Sequence, residues 1–425
     1  MRIDRLVVSN FCRYQQQEFN FRPQFNLIVG ENGAGKTTLL NAVAIAAGSW
    51  FLGMRGYDSR SIWPDEARVV RRELEGVPTF EHQYPVRVSA WGEVQGRTIE
   101  WSRVLEGEGG RTTRVRAGKM KSAAEHAHIG VLIGDPVILP VIAHYGAGRL
   151  WVSPKDMRGG DKPAASQPSR LEGYHFSLDP RINFPDLFRW LRKEKYVALE
   201  QGSEREQFRV VKAAMLGCLE GGQWLDYSVK EQALIVEVKD RGQLPFHLLS
   251  DGQRNMLALA ADIAFKAAQL NPGLGAQVLE QTSGVVLIDE LDLHLHPRWQ
   301  RHVVADLKRT FPQMQFFGTT HSPQIVGETP REEVIILREN GVGHPSVAYG
   351  ADSNWILEFV MGAQTRAPEI KAIITAADDA LERGELETAR EKLAELRHAL
   401  AGDDGEVARI ESSIETLEAL ARAEN

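Results

Sequence analysis

The chain has 425 residues, 43% hydrophobic and 25% charged, with a net charge of −7. That is ordinary composition for a soluble globular protein of about two to three domains. It excludes a membrane-spanning chain: no apolar run approaches the roughly 18 residues a bilayer needs, and the most apolar stretch, Leu39 to Ala47, is broken by Asn41. The charge is uneven, because residues 361–425 hold 15 acids and 8 bases and the remainder holds 42 of each. A neutral body does not announce nucleic-acid binding, although local patches remain open to it. Cys12 and Cys218 fit no metal or redox spacing, which points to a reducing cytoplasm.

In chain order, the first ten residues alternate like a strand and carry no small-residue cleavage site. Phe25 to Val29 reads as a short buried strand, and it runs into Gly30-Glu31-Asn32-Gly33-Ala34-Gly35-Lys36-Thr37-Thr38, then a helical run. This is G-x-x-x-x-G-K-[ST], a phosphate-binding loop. Its glycines let backbone N–H groups turn toward phosphates, and the helix that follows presents its positive end to the same anion. Gly30, Asn32, Gly33, Ala34, Gly35, Lys36, Thr37 and Thr38 are the candidate ATP-binding residues. Lys36 would reach the outer phosphates and the Thr37 hydroxyl would hold Mg²⁺.

Residues 58–246 are expected as an inserted lobe, β-rich and then helical. Strands are predicted at Tyr84 to Val88 and Thr98 to Leu105, and helices over Phe184 to Leu219. No long heptad arm is present. Arg111, Arg114, Arg116, Lys119 and Lys121 form a run of five bases with no acid; it suits phosphate contacts or an ordinary solvated hairpin. Residues 158–170, rich in Gly, Pro, Ser and Lys, read as a loop.

Beyond the lobe, Leu249-Ser250-Asp251-Gly252-Gln253-Arg254 precedes a strongly helical run. A Ser hydroxyl, a Gly N–H and a helix N-terminus together make a second anion site, although Ser-Asp before an apolar helix is also a good N-cap. Gly284 to Ile288 is a continuous apolar strand ending in Asp289 and Glu290, the pattern of a buried parallel strand. Asp289 would hold Mg²⁺, and Glu290 would orient or deprotonate an attacking water. His294 and His296 stand at i, i+2 without further ligands, so they read as structural or dimer-face histidines rather than a metal site. Gln315 to Thr320 is a further strand, ending at His321. In the tail, Ile370, Ile373, Ile374, Ala377 and Leu381, then Leu386, Ala389, Leu393, Leu396 and Leu400, then Val407, Ile410, Ile414 and Leu417 define three amphipathic helices with acidic outer faces. The expected division is therefore an ATPase core from 1–57 and 247–350, the lobe 58–246 between them, and an acidic helical tail 351–425.

LSDGQR resembles the LSGGQ signature of ABC ATPases, with Asp251 in place of the second-position glycine. In that family the signature of one subunit binds the γ-phosphate held by the other's phosphate loop. The resemblance thus implies an α/β ABC-type P-loop fold with a mixed sheet, in which Ser250, Gly252 and Gln253 serve the nucleotide of a second copy. It also implies that Asp292 matches the D-loop acid and that His321 matches the switch histidine at the γ-phosphate. DELDLHLHPRWQ (289–300), FPQMQFFGTTHSP (311–323) and HYGAGR (144–149), with SNFCRYQQQEFNF (9–21), narrow the resemblance to RecF- and SMC-like soluble prokaryotic ATPases. Within them the motifs look most like the ATPase subunits of Septu and retron-linked anti-phage defence systems. The match covers the first 50 residues and about 245–425 well, and the middle only through HYGAGR. Cys12 is inserted in the family's Asn-Phe-Arg phrase, which leaves the role of Arg13 open. The glutamine that ABC ATPases carry after the strand expected at Val137 to Ala143 is missing.

What the resemblance implies is a Mg-ATP-dependent dimer or higher oligomer, cytoplasmic and without a membrane, regulating a separately encoded HNH-type nuclease docked on the C-terminal helices. The chain itself shows no nuclease motif. The alternatives are a RecF-type DNA repair or recombination ATPase that binds DNA through the 111–121 run and, less favoured by the missing glutamine and the β-rich lobe, a transporter ATPase subunit.

Overall fold

The computed structural model describes every residue except 75–76, 150–168, 183, 340 and 424–425. The loop expected over 158–170 thus lies, up to residue 168, outside the described residues. The chain divides into two compact units, Met1–Ile356 and Leu357–Asn425.

In the first unit, β1 (Arg2–Phe11) turns back into β2 (Tyr14–Asn20), and β3 (Phe25–Gly30) leads through the glycine loop to α1 (Lys36–Gly48). A ribbon of β4 (Arg68–Leu74) and β5 (Val77–Gln83) precedes β6 (Val86–Val94), β7 (Arg97–Leu105), α2 (Gly118–Ile133) and β8 (Val141–Tyr145). Helices α3 (Phe184–Gln201) and α4 (Glu206–Gly217) then lead to a small sheet of β9 (Gly222–Ser228), β10 (Ala233–Val238) and β11 (Gly242–Pro245). The long α5 (Asp251–Leu270) and the single turn α6 (Val278–Gln281) come before β12 (Gly284–Ile288), α7 (Pro297–Gln300) and α8 (Val303–Thr310). β13 (Met314–Thr319), α9 (Pro323–Gly327), β14 (Val334–Arg338), β15 (Gly341–Gly343) and the turn α10 (Ser353–Trp355) complete the unit.

The central sheet has the order β15-β14-β3-β13-β12-β8. All neighbours pair in parallel except the antiparallel edge strand β15. β3, β12 and β13 are buried along their whole length, which is why they read as largely apolar runs without alternation, interrupted by the buried Asn26 in β3 and by Gln315 and Thr319 in β13. A second, antiparallel sheet has the order β2-β1-β6-β7. α1 is apolar on every side and buried from Leu39 onward apart from Asn41. It lies between the two sheets, and the Trp101 indole N–H of β7 donates to the Ala46 carbonyl at 2.9 Å. α5 packs against β8. There the Tyr145 hydroxyl and the Lys266 ammonium both donate to Asp262, each at 2.7 Å, so a buried ion pair has its hydrogen bonds satisfied.

Residues 58–246 are not set apart as a lobe. β6 and β7 complete the antiparallel sheet on β1, and β8 is an edge strand of the central sheet. The long-range pairing overrides the sequence interval because β1 and β12 each have a free edge to satisfy.

The second unit is the three expected helices, α11 (Pro368–Glu382), α12 (Leu386–Leu400) and α13 (Gly405–Ala423). They close on a core of Ala377, Ala380, Ala389, Leu393, Leu396, Val407, Ile410 and Ile414. Several of their bases are engaged internally: Arg409 pairs with Asp378 and Glu406, and Arg397 with Asp403 and Glu411.

Candidate functional site

The phosphate-binding loop connects the buried C-terminal end of β3 to α1. Gly33 and Gly35 have φ of 80° and 94°, a region closed to most side chains. A Cβ on Gly35 would also meet the Tyr14 hydroxyl at 2.7 Å and Arg13 Cδ at 2.8 Å. Arg13 therefore has a place: its guanidinium donates to the Gly33 carbonyl at 2.8 Å and braces the loop from the β1–β2 turn. Lys36 donates to the Gly30 carbonyl at 2.8 Å and to that of Glu31 at 3.0 Å. Burial lowers its pKa, and the nearby Asp289, Glu290 and Asp292 oppose that shift. Asn32, Gly33 and Thr37 are exposed at the loop's mouth, Ala34 is buried, and Gly30 lies at the buried end of β3. Thr38 is half-buried, and burial raises the pKa of the neighbouring Cys12 thiol to about 11.

β12 brings the acids to this loop. The Thr37 hydroxyl donates to Asp289 Oδ2 at 3.0 Å, and the Thr319 hydroxyl of β13 donates to the other oxygen of the same carboxylate. Glu290 follows with φ of 50°, and its N–H donates to Thr319 Oγ1 at 2.8 Å. Among the described residues no cluster of three His, Cys, Asp or Glu side chains forms a metal cage. One hydroxyl and one carboxylate, with the rest of the shell left to phosphate and water, is instead the donor set that suits Mg²⁺.

Asp292 accepts from the Thr320 hydroxyl at 2.6 Å and from the His321 N–H at 3.1 Å. Asp292, the acid that the resemblance aligns with the D-loop, thereby fixes the backbone at His321, and the His321 side chain is exposed. Ser250 caps α5: its hydroxyl accepts from the Gln253 N–H at 3.3 Å, and Gln253 Oε1 accepts from the Ser250 N–H at 3.1 Å. Gln253 is buried and spent on this capping box, whereas Ser250 is exposed. A Cβ on Gly252 would meet the His294 carbonyl oxygen at 2.5 Å, so this glycine is demanded by contact with the D-loop of its own chain. Among the described residues no hydrogen bond joins Ser250 or Gly252 to the phosphate-binding loop. His296 caps α7 through Nδ1, and His294 is exposed.

Where the resemblance leads one to expect a glutamine, the end of β8 and the segment after it supply two residues whose roles the sequence did not disclose. His144 lies beside Asp289 and Asp179, yet burial holds its pKa down at about 4. Arg149 is 1% exposed. Its guanidinium donates to the carbonyls of Asp289 at 2.6 Å, Glu290 at 3.0 Å and Gly146 at 3.2 Å, and to Asn255 Oδ1 on α5 at 2.8 Å. Burial lowers its pKa to about 10, which still leaves it charged at neutral pH. HYGAGR carried the only sequence signal for both residues, and nothing in it told what they touch.

A phosphate-binding loop beside a strand-end Asp-Glu pair on a mostly parallel sheet is the arrangement of a P-loop ATPase. Two family models described as AAA domains match residues 5–209 and 166–327, the second carrying the AbiEii toxin, Type IV TA system description. The chain is 26% identical to the Retron Ec83 probable ATPase of Escherichia coli, over 87% of this chain and 78% of that one. It is 21% identical to the Retron Vc95 probable ATPase of Vibrio cholerae, over 91% and 84%. A shorter stretch, 36% of this chain and 42% of the relative, is 32% identical to the Septu protein PtuA of Bacillus thuringiensis. An SMC head domain from Thermotoga maritima superposes with a TM-score of 0.45 at 15% identity, covering 82% of this chain and 100% of that one. The protein is an ATPase, similar over most of its length to the probable ATPases of two retrons and over a shorter stretch to Septu PtuA.

Proposed function

We propose that this ATPase closes as a dimer on Mg-ATP and that nucleotide occupancy regulates an associated HNH-type nuclease in prokaryotic anti-phage defence. The observation that carries the dimer is the division of the site. Lys36, Thr37, Asp289 and Glu290 converge in one place, while the exposed Ser250 is tied only to its own helix. A second copy would supply Ser250 and the N–H groups of α5 to the γ-phosphate, completing the anion site with a helix N-terminus. Thr37 and Asp289 would hold Mg²⁺. Lys36 neutralises charge on the outer phosphates, His321 contacts the γ-phosphate, and Glu290 orients water for attack on the γ-phosphorus and takes its proton. The products are ADP and inorganic phosphate.

The defence role rests on the retron and Septu relatives, and the nuclease on the resemblance to Septu-type systems. The acidic three-helix unit is the surface we assign to that partner. Among the described residues no helix is long and apolar enough to cross a membrane. The mass of Glu290→Gln with and without ATP tests dimerisation: a doubling on adding ATP is expected, and an unchanged mass refutes it. Co-purification with the products of neighbouring genes tests the partner, and recovery of no nuclease refutes it.

One observation favours a second reading, ATP-dependent DNA binding. Arg111, Arg114, Arg116, Lys119 and Lys121 are all exposed, on a loop and at the start of α2. Reversing the charge of Arg114 and Arg116 should then weaken binding and flatten its salt dependence; unchanged affinity refutes this role.

A further inference from the structure

Arg149 is a buried guanidinium whose acceptors, three carbonyls and one side-chain amide, are all uncharged. Such a charge is costly to bury and persists only when its donors are well used. Here the planar fork spans two elements. On one side it pins the Asp289 and Glu290 carbonyls, at the point where Glu290 takes up its left-handed backbone conformation. On the other it grips Asn255, little more than one turn into the signature helix. Asn255 is itself 1% exposed, and its amide donates to the Leu293 carbonyl of the D-loop at 3.1 Å. A continuous path thus runs from Glu290 through Arg149 and Asn255 to the D-loop.

We propose that Arg149 is a positioning residue that couples the two nucleotide sites of the dimer. This rests on the dimer reading above. Glu290 serves the nucleotide on its own chain, whereas α5 serves the partner's. Arg149 holds both, so the seating of α5 on the partner's nucleotide sets the aim of Glu290. The two hydrolysis sites then fire as a coupled pair. A lysine at 149 keeps the charge but, as a point donor, cannot bridge Asn255 and both carbonyls.

The test is steady-state ATP hydrolysis by the full chain against ATP concentration, for wild type, Arg149→Lys and Asn255→Leu, with the mass of each protein measured with and without ATP. Wild type is expected to show a Hill coefficient approaching about 2, falling to about 1 in both variants. Arg149→Lys should also lower kcat by about 10- to 100-fold with a much smaller change in the half-saturating ATP concentration. Asn255→Leu leaves the fork on the Asp289 and Glu290 carbonyls and should lose less kcat. It keeps the test alive if Arg149→Lys fails to fold. A purely structural role would lower the melting temperature and the active fraction without moving the Hill coefficient. A non-cooperative wild-type dimer, or variants that keep the wild-type Hill coefficient, would overturn the coupling. A wild type that stays monomeric with ATP overturns the dimer reading and the coupling with it, and the mass distinguishes that outcome from the others.

Discussion

Gly252→Ala separates two explanations of the signature glycine. If its only task is to offer a bare N–H to phosphate, alanine offers the same N–H and little should change. The structure gives a different answer. The added Cβ would stand 2.5 Å from the His294 carbonyl oxygen and 3.3 Å from its carbon, where ordinary contact begins at 3.4 Å. The D-loop must therefore retreat by about 0.9 Å, or α5 must tilt by the same amount. Overpacking of this kind costs about 1–3 kcal/mol. A shift of about 1 Å in a segment that sets catalytic geometry costs roughly 100-fold in rate, and this segment carries Asp292, which fixes the backbone at His321. The assay is a thermal melt beside single-turnover ATP hydrolysis. Gly252→Ala should melt lower and hydrolyse about 100-fold more slowly; Ser250→Ala, which loses the cap, should cost about 1 kcal/mol of stability and, without the hydroxyl offered to the partner's γ-phosphate, should also slow hydrolysis. A Gly252→Ala protein with wild-type melting and wild-type turnover would refute the steric argument.

Glu290→Gln should slow turnover by about 100- to 10,000-fold, because the amide cannot take the proton; ATP affinity from a fluorescent-nucleotide titration should persist, and an unchanged turnover would mean that another group positions the water. Lys36→Ala should weaken nucleotide binding itself in the same titration, and undiminished affinity would contradict the placement of its ammonium. His144 gives a pH dependence of stability. Its folded pKa of about 4 lies below the ordinary 6.5, so the unfolded chain binds the extra proton first. The stability it contributes is complete above about pH 6.5 and is lost as pH falls toward 4, on the order of 3 kcal/mol in all. Melting temperatures of wild type and His144→Gln across that window should converge or cross as the pH drops; parallel curves would show that His144 is not the titrating group.

Much of the fold was legible because burial leaves a period. β3, β12 and β13 have both faces covered, so their sequences are largely apolar without alternation, and the helices of the second unit show their spacing of three and four because one face packs on Ala389, Leu396 and Ile410. What escaped was what depends on pairing at a distance. Nothing local in Val86–Val94 says that it completes a sheet with Arg2–Phe11, since register is set by the partner strand. The candidate site divides along the same line. Lys36, Thr37, Asp289 and Glu290 stood out because their motifs join fixed residue types to fixed spacing. Gln253 stood within a motif too, but the structure spends its side chain on the cap of its own helix. Arg149 left little trace because three of its four acceptors are main-chain carbonyls, and any residue type supplies a carbonyl. A carboxylate partner would have shown in the sequence as a candidate; a carbonyl partner shows only once the chain has folded around it. A charged residue buried against backbone is therefore the kind of functional group that sequence reading misses. In this chain it occupies the stretch where the family's glutamine is missing.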